Sequence, residues 1–91
     1  MTKQGRYRVK VSRRARDALL KLTKKLQRRL ITAMQNLAHD PRPARCKKLA
    51  GQGSIYRICL GAYRIVYQIR DDELLVLVLR IGHRSEIYRR L

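Results

Sequence analysis

The chain is 91 residues long, 45% apolar, and carries 23 lysines and arginines against 6 acids, a net charge of +17 at neutral pH. That length suits one small domain, and the apolar share excludes a disordered polyelectrolyte. Self-repulsion at this charge opposes compaction, so a polyanionic partner is expected, whether RNA, DNA or an acidic protein.

The opening MTKQGRYRVK lacks an apolar leader, and the longest apolar run is LLVLVL at 74–79. Neither an export signal nor a membrane span is expected, and the reading is a cytoplasmic protein. RYRVKVS at 6–12 alternates cations with Tyr7, Val9 and Val11, the period of a strand with one buried face. Ser12 suits a helix N-cap. Ala15, Leu19, Leu22, Leu26, Leu30, Ala33 and Leu37 then recur at spacings of three and four, which predicts helix. The seam permits a single helix from 13 to 38, or two if Thr23 caps the second. Asp40, Pro41 and Pro43 end it.

Residues 39–54 read as an irregular connection bearing Arg42, Arg45, Lys47 and Lys48. Three strands follow, IYRICL (55–60), YRIVYQI (63–69) and LLVLVLRI (74–81), joined at Gly61-Ala62 and Asp71-Asp72. Turns this short demand an antiparallel meander. The last strand is apolar on both faces and is expected inside the sheet. The expectation is one α+β domain spanning 1–91, ordered β-α-α-β-β-β, with two helices on one face of a mainly antiparallel sheet.

Alternation sends Tyr56, Ile58 and Leu60 inward, with Tyr63, Ile65, Tyr67 and Ile69 from the next strand. Arg57, Cys59, Arg64 and Val66 then point the other way, and Arg80 and Arg84 are expected to join them. Few carboxylates are available to pair with these arginines, since Asp71, Asp72 and Glu73 sit together in one turn. Unpaired cations crowded on a sheet face destabilise it, which suggests a use, and guanidinium suits phosphate. The closing stretch GHRSEIYRR brings His83 and Tyr88 to the rim of that face. Cys46 and Cys59 form no CxxC pair, so neither a zinc site nor a disulfide framework is expected.

KKLAG, YRI, GAYRIVY, the acidic turn, the apolar strand and GHRSEIY, in this order within 47–91, resemble the C-terminal half of RelE-type toxins of the RelE/ParE superfamily. The first half fits more loosely, through its strand, basic helices and DPRP exit. The resemblance implies a toxin of a type II toxin–antitoxin module that enters the ribosomal A site and cuts mRNA without metal or cofactor. The chemistry it implies is attack of a ribose 2′-OH on the adjacent phosphate, and the matching residues are Arg57, Arg64, Arg84 and Tyr88. His83 is a candidate general base or a positioning group, and Lys47, Lys48, Arg80 and Arg89 are expected to bind RNA. Cys59 stands where some relatives have a basic residue, so proton transfer to water or the ribosome is the preferred reading. The implied partner is an acidic RelB-like antitoxin in a hetero-oligomer. Two rival functions are a ParE-type poison of gyrase and a non-catalytic nucleic-acid-binding domain.

Overall fold

A computed structural model describes residues 6–49 and 53–87. In chain order the elements are β1 (Arg8–Val11), α1 (Arg13–Leu20), α2 (Lys24–Asn36), β2 (Lys47–Lys48), β3 (Ile55–Leu60), β4 (Tyr63–Arg70), a 3-10 turn (Asp71–Glu73) and β5 (Leu75–His83). The strands form one sheet in the order β1-β5-β4-β3-β2. β1 runs parallel to β5 and the other pairings are antiparallel, so the sheet is mixed but mostly antiparallel. Two helices and a largely antiparallel sheet stand as the sequence implied. β5 lies inside the sheet, as its apolar run predicted. β2 is an addition, formed where the sequence suggested only an irregular connection.

The helical stretch is two helices. Ser12 caps α1 by accepting from the Ala15 amide at 3.1 Å, and Thr23 caps α2 by accepting from the Leu26 amide at 3.3 Å. Neither glycine nor proline breaks the chain between them. The hydroxyl of Thr23 gives the α2 N-terminus a partner, and Gln27 Nε2 donates to the orphaned Leu22 carbonyl at 2.9 Å. Ala15, Leu19, Leu30, Ala33 and Leu37 of this layer bury against Ile58, Ile65, Tyr67, Val76 and Ile81 of the sheet. Each fully buried aliphatic side chain contributes roughly 1.5–3 kcal/mol. Tyr67, wholly buried, donates its hydroxyl to the Pro41 carbonyl at 2.8 Å. Burial pushes its phenol well above the ordinary range.

β5 carries a bulge. Tyr67 pairs with Val78, yet Val66 pairs with Arg80, so Leu79 is an extra residue. Val76 and Val78 face the helices before it, and Ile81 faces them after it. The bulge thus moves Arg80 to the outer face and keeps Ile81 in the core. Ser12 fastens the spot, donating its hydroxyl to the Leu79 carbonyl at 2.9 Å and its amide to the Val78 carbonyl at 2.8 Å.

Both ion pairs among the described residues lie at the β4–β5 turn, Arg42–Asp71 and Arg70–Glu73. Arg42 grips Asp71 with two bonds of 3.2 and 2.8 Å, and the Tyr7 hydroxyl donates to Asp71 at 2.6 Å. Arg42 also lies over the Tyr56 ring, 5.3 Å from its centroid. The Arg42 bond, then that of Tyr7, holds the Asp71 carboxyl down at about 2.

This carboxylate favours the fold above the ordinary aspartate range, near pH 4, and loses that effect as pH falls through its lowered value. Asp71→Asn should therefore lower the melting temperature by a steady margin between pH 5 and 7, with the gap closing from pH 4 to 2. Thermal melts of both proteins across that range provide the check. An equal gap at pH 2 and pH 6 would contradict the assignment.

Candidate functional site

Register assembles the outer face of the sheet. Lys47 pairs with Arg57, Arg57 with Val66, and Val66 with Arg80, so these four form one cross-strand row. Cys59, Arg64 and Gly82 form the next row, about 7 Å along the strands. Lys47 is exposed, while Arg57, Arg64 and Arg80 are half-buried. One guanidinium nitrogen of Arg80 is fully enclosed. Lys47 and Arg57 are like charges directly opposite each other, an arrangement that destabilises a sheet. Among the described residues, Lys47, Arg57, Arg64 and Arg84 enter no ion pair.

Two of these guanidiniums are held by neutral acceptors. Arg57 Nη1 donates to Cys59 Sγ at 2.7 Å, along its own strand. Arg64 Nη1 donates to the carbonyls of Gly61 at 3.0 Å and Tyr63 at 3.1 Å. The β3–β4 turn that supplies one of them places Gly61 at φ +62°, a left-handed conformation that glycine adopts without strain. Both side chains are therefore partly oriented without a carboxylate partner among the described residues.

Residues 84–87 fold back on this end of the sheet. The Arg84 amide donates to the Ala62 carbonyl at 2.7 Å, fastening it to the β3–β4 turn. The Glu86 and Ile87 amides both donate to the His83 carbonyl, at 2.9 and 3.0 Å. Ile87 is only 1% exposed, though it lies outside the core beneath the helices. It lies against Gly82, where an added Cβ would come within 3.3 Å of Ile87 Cδ1. Val66, also fully buried, shares that outer face. The face is thus not bare, since an apolar patch sits among the cations.

His83 departs from the arginines. It pairs with Tyr63, whose row faces the helices, and meets the Tyr63 ring edge-on at 5.6 Å. Its Nδ1 accepts from the Ser85 amide at 3.1 Å, which assigns the proton of the neutral ring to Nε2. The outward nitrogen is then a donor. Lys48 pairs with Tyr56 and likewise belongs to the helix-side row. Arg84 is exposed at the edge. Tyr88 and Arg89 lie outside the described residues.

Of the residues singled out from the sequence, Arg57, Arg64, Arg80 and Lys47 are brought together, whereas His83 and Lys48 are set on the other side. Sequence reasoning missed Gly82 and Ile87, which seat the closing stretch. A glycine inside a strand pattern is the available sign, because it marks a bulge or a close approach. Cys46 and Cys59 are free thiols.

The protein-family model for the ParE toxin of type II toxin-antitoxin system, parDE, matches residues 9–88. Toxin RelG of Mycobacterium tuberculosis is 36% identical over 89 residues, an alignment covering 92% of this chain and 98% of that protein. A putative RelE-like toxin protein of Escherichia coli is 32% identical, covering 91% and 90%. Among solved structures, the archaeal RelE–RelB complex from Pyrococcus horikoshii OT3 is similar at a TM-score of 0.78 and 30% identity, covering 88% of this chain and 97% of that one. The intact E. coli RelBE toxin–antitoxin complex is similar at 0.74 and 30% identity, covering 85% and 95%.

Ile87→Ala tests whether the closing stretch is seated as described. Removing a buried isoleucine should destabilise the protein by about 2–3 kcal/mol, the low end of such truncations because a surface turn can relax. Urea denaturation measures it. A loss under about 0.5 kcal/mol, as expected of a solvent-exposed position, would contradict the packing of Ile87 on Gly82.

Proposed function

The chain belongs to the RelE/ParE superfamily of type II toxin–antitoxin toxins, and from that premise we propose that it acts as a single toxin domain cutting mRNA in the ribosomal A site. The observation that carries this reading is the outer face, where Arg57 and Arg64 project from adjacent strands with no ion pair among the described residues.

The proposed reaction uses the protein's side chains and water. The ribose 2′-oxygen bonds to the neighbouring phosphorus, the bond from phosphorus to the 5′-oxygen breaks, and a 2′,3′-cyclic phosphate results. The proton from the 2′-OH passes to water, and the departing 5′-oxygen takes one up. Arg57 and Arg64 offset the charge that builds on the phosphorane oxygens, and Lys47 draws the phosphate onto the face. Their neutral acceptors make those charges preorganised, which is where electrostatic catalysis is strongest. Arg84 and Tyr88 serve the leaving-group side, the phenol by donating or by stacking. Cys59, capped by Arg57, has no base beside it and serves as an acceptor that orients that guanidinium. His83 positions RNA from the other side of the edge. The basic nitrogen of that tautomer, Nδ1, is taken up by the Ser85 amide, so the ring offers substrate a donor at Nε2 rather than a base.

An acidic RelB-like antitoxin in a hetero-oligomer is the proposed partner, since carboxylates laid over this face would relieve its repulsion. The solved relatives from P. horikoshii and E. coli are complexes with RelB. The proposed location is the cytoplasm, where ribosomes are. Gyrase poisoning is the second reading, favoured by the ParE name of the matching family model.

Arg64→Ala, a half-buried position outside the core cluster, should leave the fold intact while slowing cleavage on the order of 100- to 1,000-fold, the scale for removing one preorganised donor. Cys59→Ser should stay within a few fold of the parent. Tyr88→Phe should fall nearly as far as Arg64→Ala if the hydroxyl donates, and much less if the ring stacks. Single-turnover mRNA cleavage on programmed ribosomes measures these, with circular dichroism confirming the fold. Full activity of a folded Arg64→Ala protein would contradict the catalytic face, and supercoiling inhibition without cleavage would put the gyrase reading first.

A further inference from the structure

The helix layer carries a second cationic feature. Lys24, Lys25, Arg28 and Arg29 form a stripe on the first two turns of α2, all exposed. Arg28 and Arg29 have no ion pair among the described residues. They line, with Thr32 and Leu60, a shallow groove of about 330 Å³. Leu60 ends β3, immediately before the turn whose Gly61 carbonyl holds Arg64. Its row partner Tyr63 touches the His83 ring. The groove thus opens at the same sheet edge where the outer-face arginines end, but on the helix side.

We propose that bound RNA continues from the outer face around the β3–β4 turn into this groove, where Arg28, Arg29 and Leu60 form a second nucleotide subsite. The inference rests on the RNA-cleaving reading and extends it to a path for the flanking chain. The chemistry of the groove suits a nucleotide. Leu60 offers an apolar floor for a base or ribose, and the guanidiniums can clasp phosphate or stack on a base. The Thr32 hydroxyl can both donate and accept, which fits a 2′-OH or a base edge. Residues 24 and 28 stand about 6 Å apart along the helix axis, a spacing similar to that of successive phosphates. His83, its ring held against Tyr63, lies in the same cross-strand row as Leu60, two strands over, and can donate from Nε2 to a flanking phosphate or base. An acidic protein segment fits less well, because no apolar stripe accompanies these cations. The apolar groove of the helix layer, lined by Val9, Leu19, Ile31 and Met34 among others, lies on another side of α2.

The test compares the parent protein, Arg28→Gln/Arg29→Gln and Arg28→Lys/Arg29→Lys for binding of two fully 2′-O-methylated RNAs, a tetranucleotide and a dodecamer. Fluorescence anisotropy over a salt series supplies affinity and its salt slope, with thermal melts confirming that each protein is folded. The glutamine variant should bind the dodecamer about tenfold more weakly, and its salt slope should drop by about 1.4, two phosphates at roughly 0.7 each. It should bind the tetranucleotide as the parent does, and the lysine variant should keep the slope. Unchanged slopes would overturn the subsite. So would an equal loss for both RNAs, which signals general charge. Cleavage of mRNA by the parent is measured alongside. Without cleavage but with the slope difference, the nuclease reading falls and the subsite stands. With cleavage and no slope difference, only the subsite falls.

Discussion

In β5 a single extra residue decides what each face of the sheet presents. Val76 and Val78 meet the helices, and an unbroken alternation would send Arg80 in after them and turn Ile81 out. Leu79 breaks the phase. An arginine forced into the core would lack a counter-charge there, a far larger penalty than the ladder bond a bulge forfeits. Ser12 ties the bulge to the start of α1, so the helix layer and the register of the outer face are fixed at one point. Everything after the bulge depends on that register: Gly82 lands opposite Arg64, Ile87 finds room over Gly82, and Arg84 reaches the β3–β4 turn.

Charge is distributed along the sheet in a way that fits this division. At the β4–β5 end, acids and cations cancel, and Arg42, Asp71, Tyr7 and Tyr56 join the turn, the first strand and the 40s connection. At the other end the cations face neutral acceptors, a thiol and backbone carbonyls, which orient without neutralising. The fold is therefore knit where its charges pair, while Arg57 and Arg64 at the other end are oriented without a counter-charge among the described residues. Among the described residues Arg57 and Arg64 enter no ion pair, so a polyanion arriving at them has no carboxylate of those residues to displace.

Much of this was legible in the residues. The period-2 strands placed Arg57 and Arg64 opposite Tyr56 and Tyr63, and the period-3.6 seam located the helix layer. Thr23 was visible as a possible cap, but the seam alone left one helix or two open, because a break made by a side-chain cap needs no glycine or proline. The bulge was not legible: LLVLVL is apolar at every position, so a phase change leaves no trace in its pattern. His83 sits three residues beyond Arg80, so alternation after the bulge sends it to the helix-side row, where it pairs with Tyr63, rather than to the rim beside the arginines. β2 escaped notice because two lysines carry no strand periodicity. Its pairing, which brings Lys47 beside Arg57, is decided by the free edge of β3.

The central claim is that fixed cations on this face promote attack by a ribose 2′-OH, with no other nucleophile. The product ends of cleaved mRNA test it most directly. Mass spectrometry of fragments from programmed ribosomes should find a 2′,3′-cyclic phosphate on the upstream piece and a 5′-hydroxyl on the downstream one. A single 2′-deoxy substitution at the scissile nucleotide should abolish the cut. A 5′-phosphate product, or undiminished cleavage of the deoxy substrate, would mean that water or a protein group attacks the phosphate and would contradict the account.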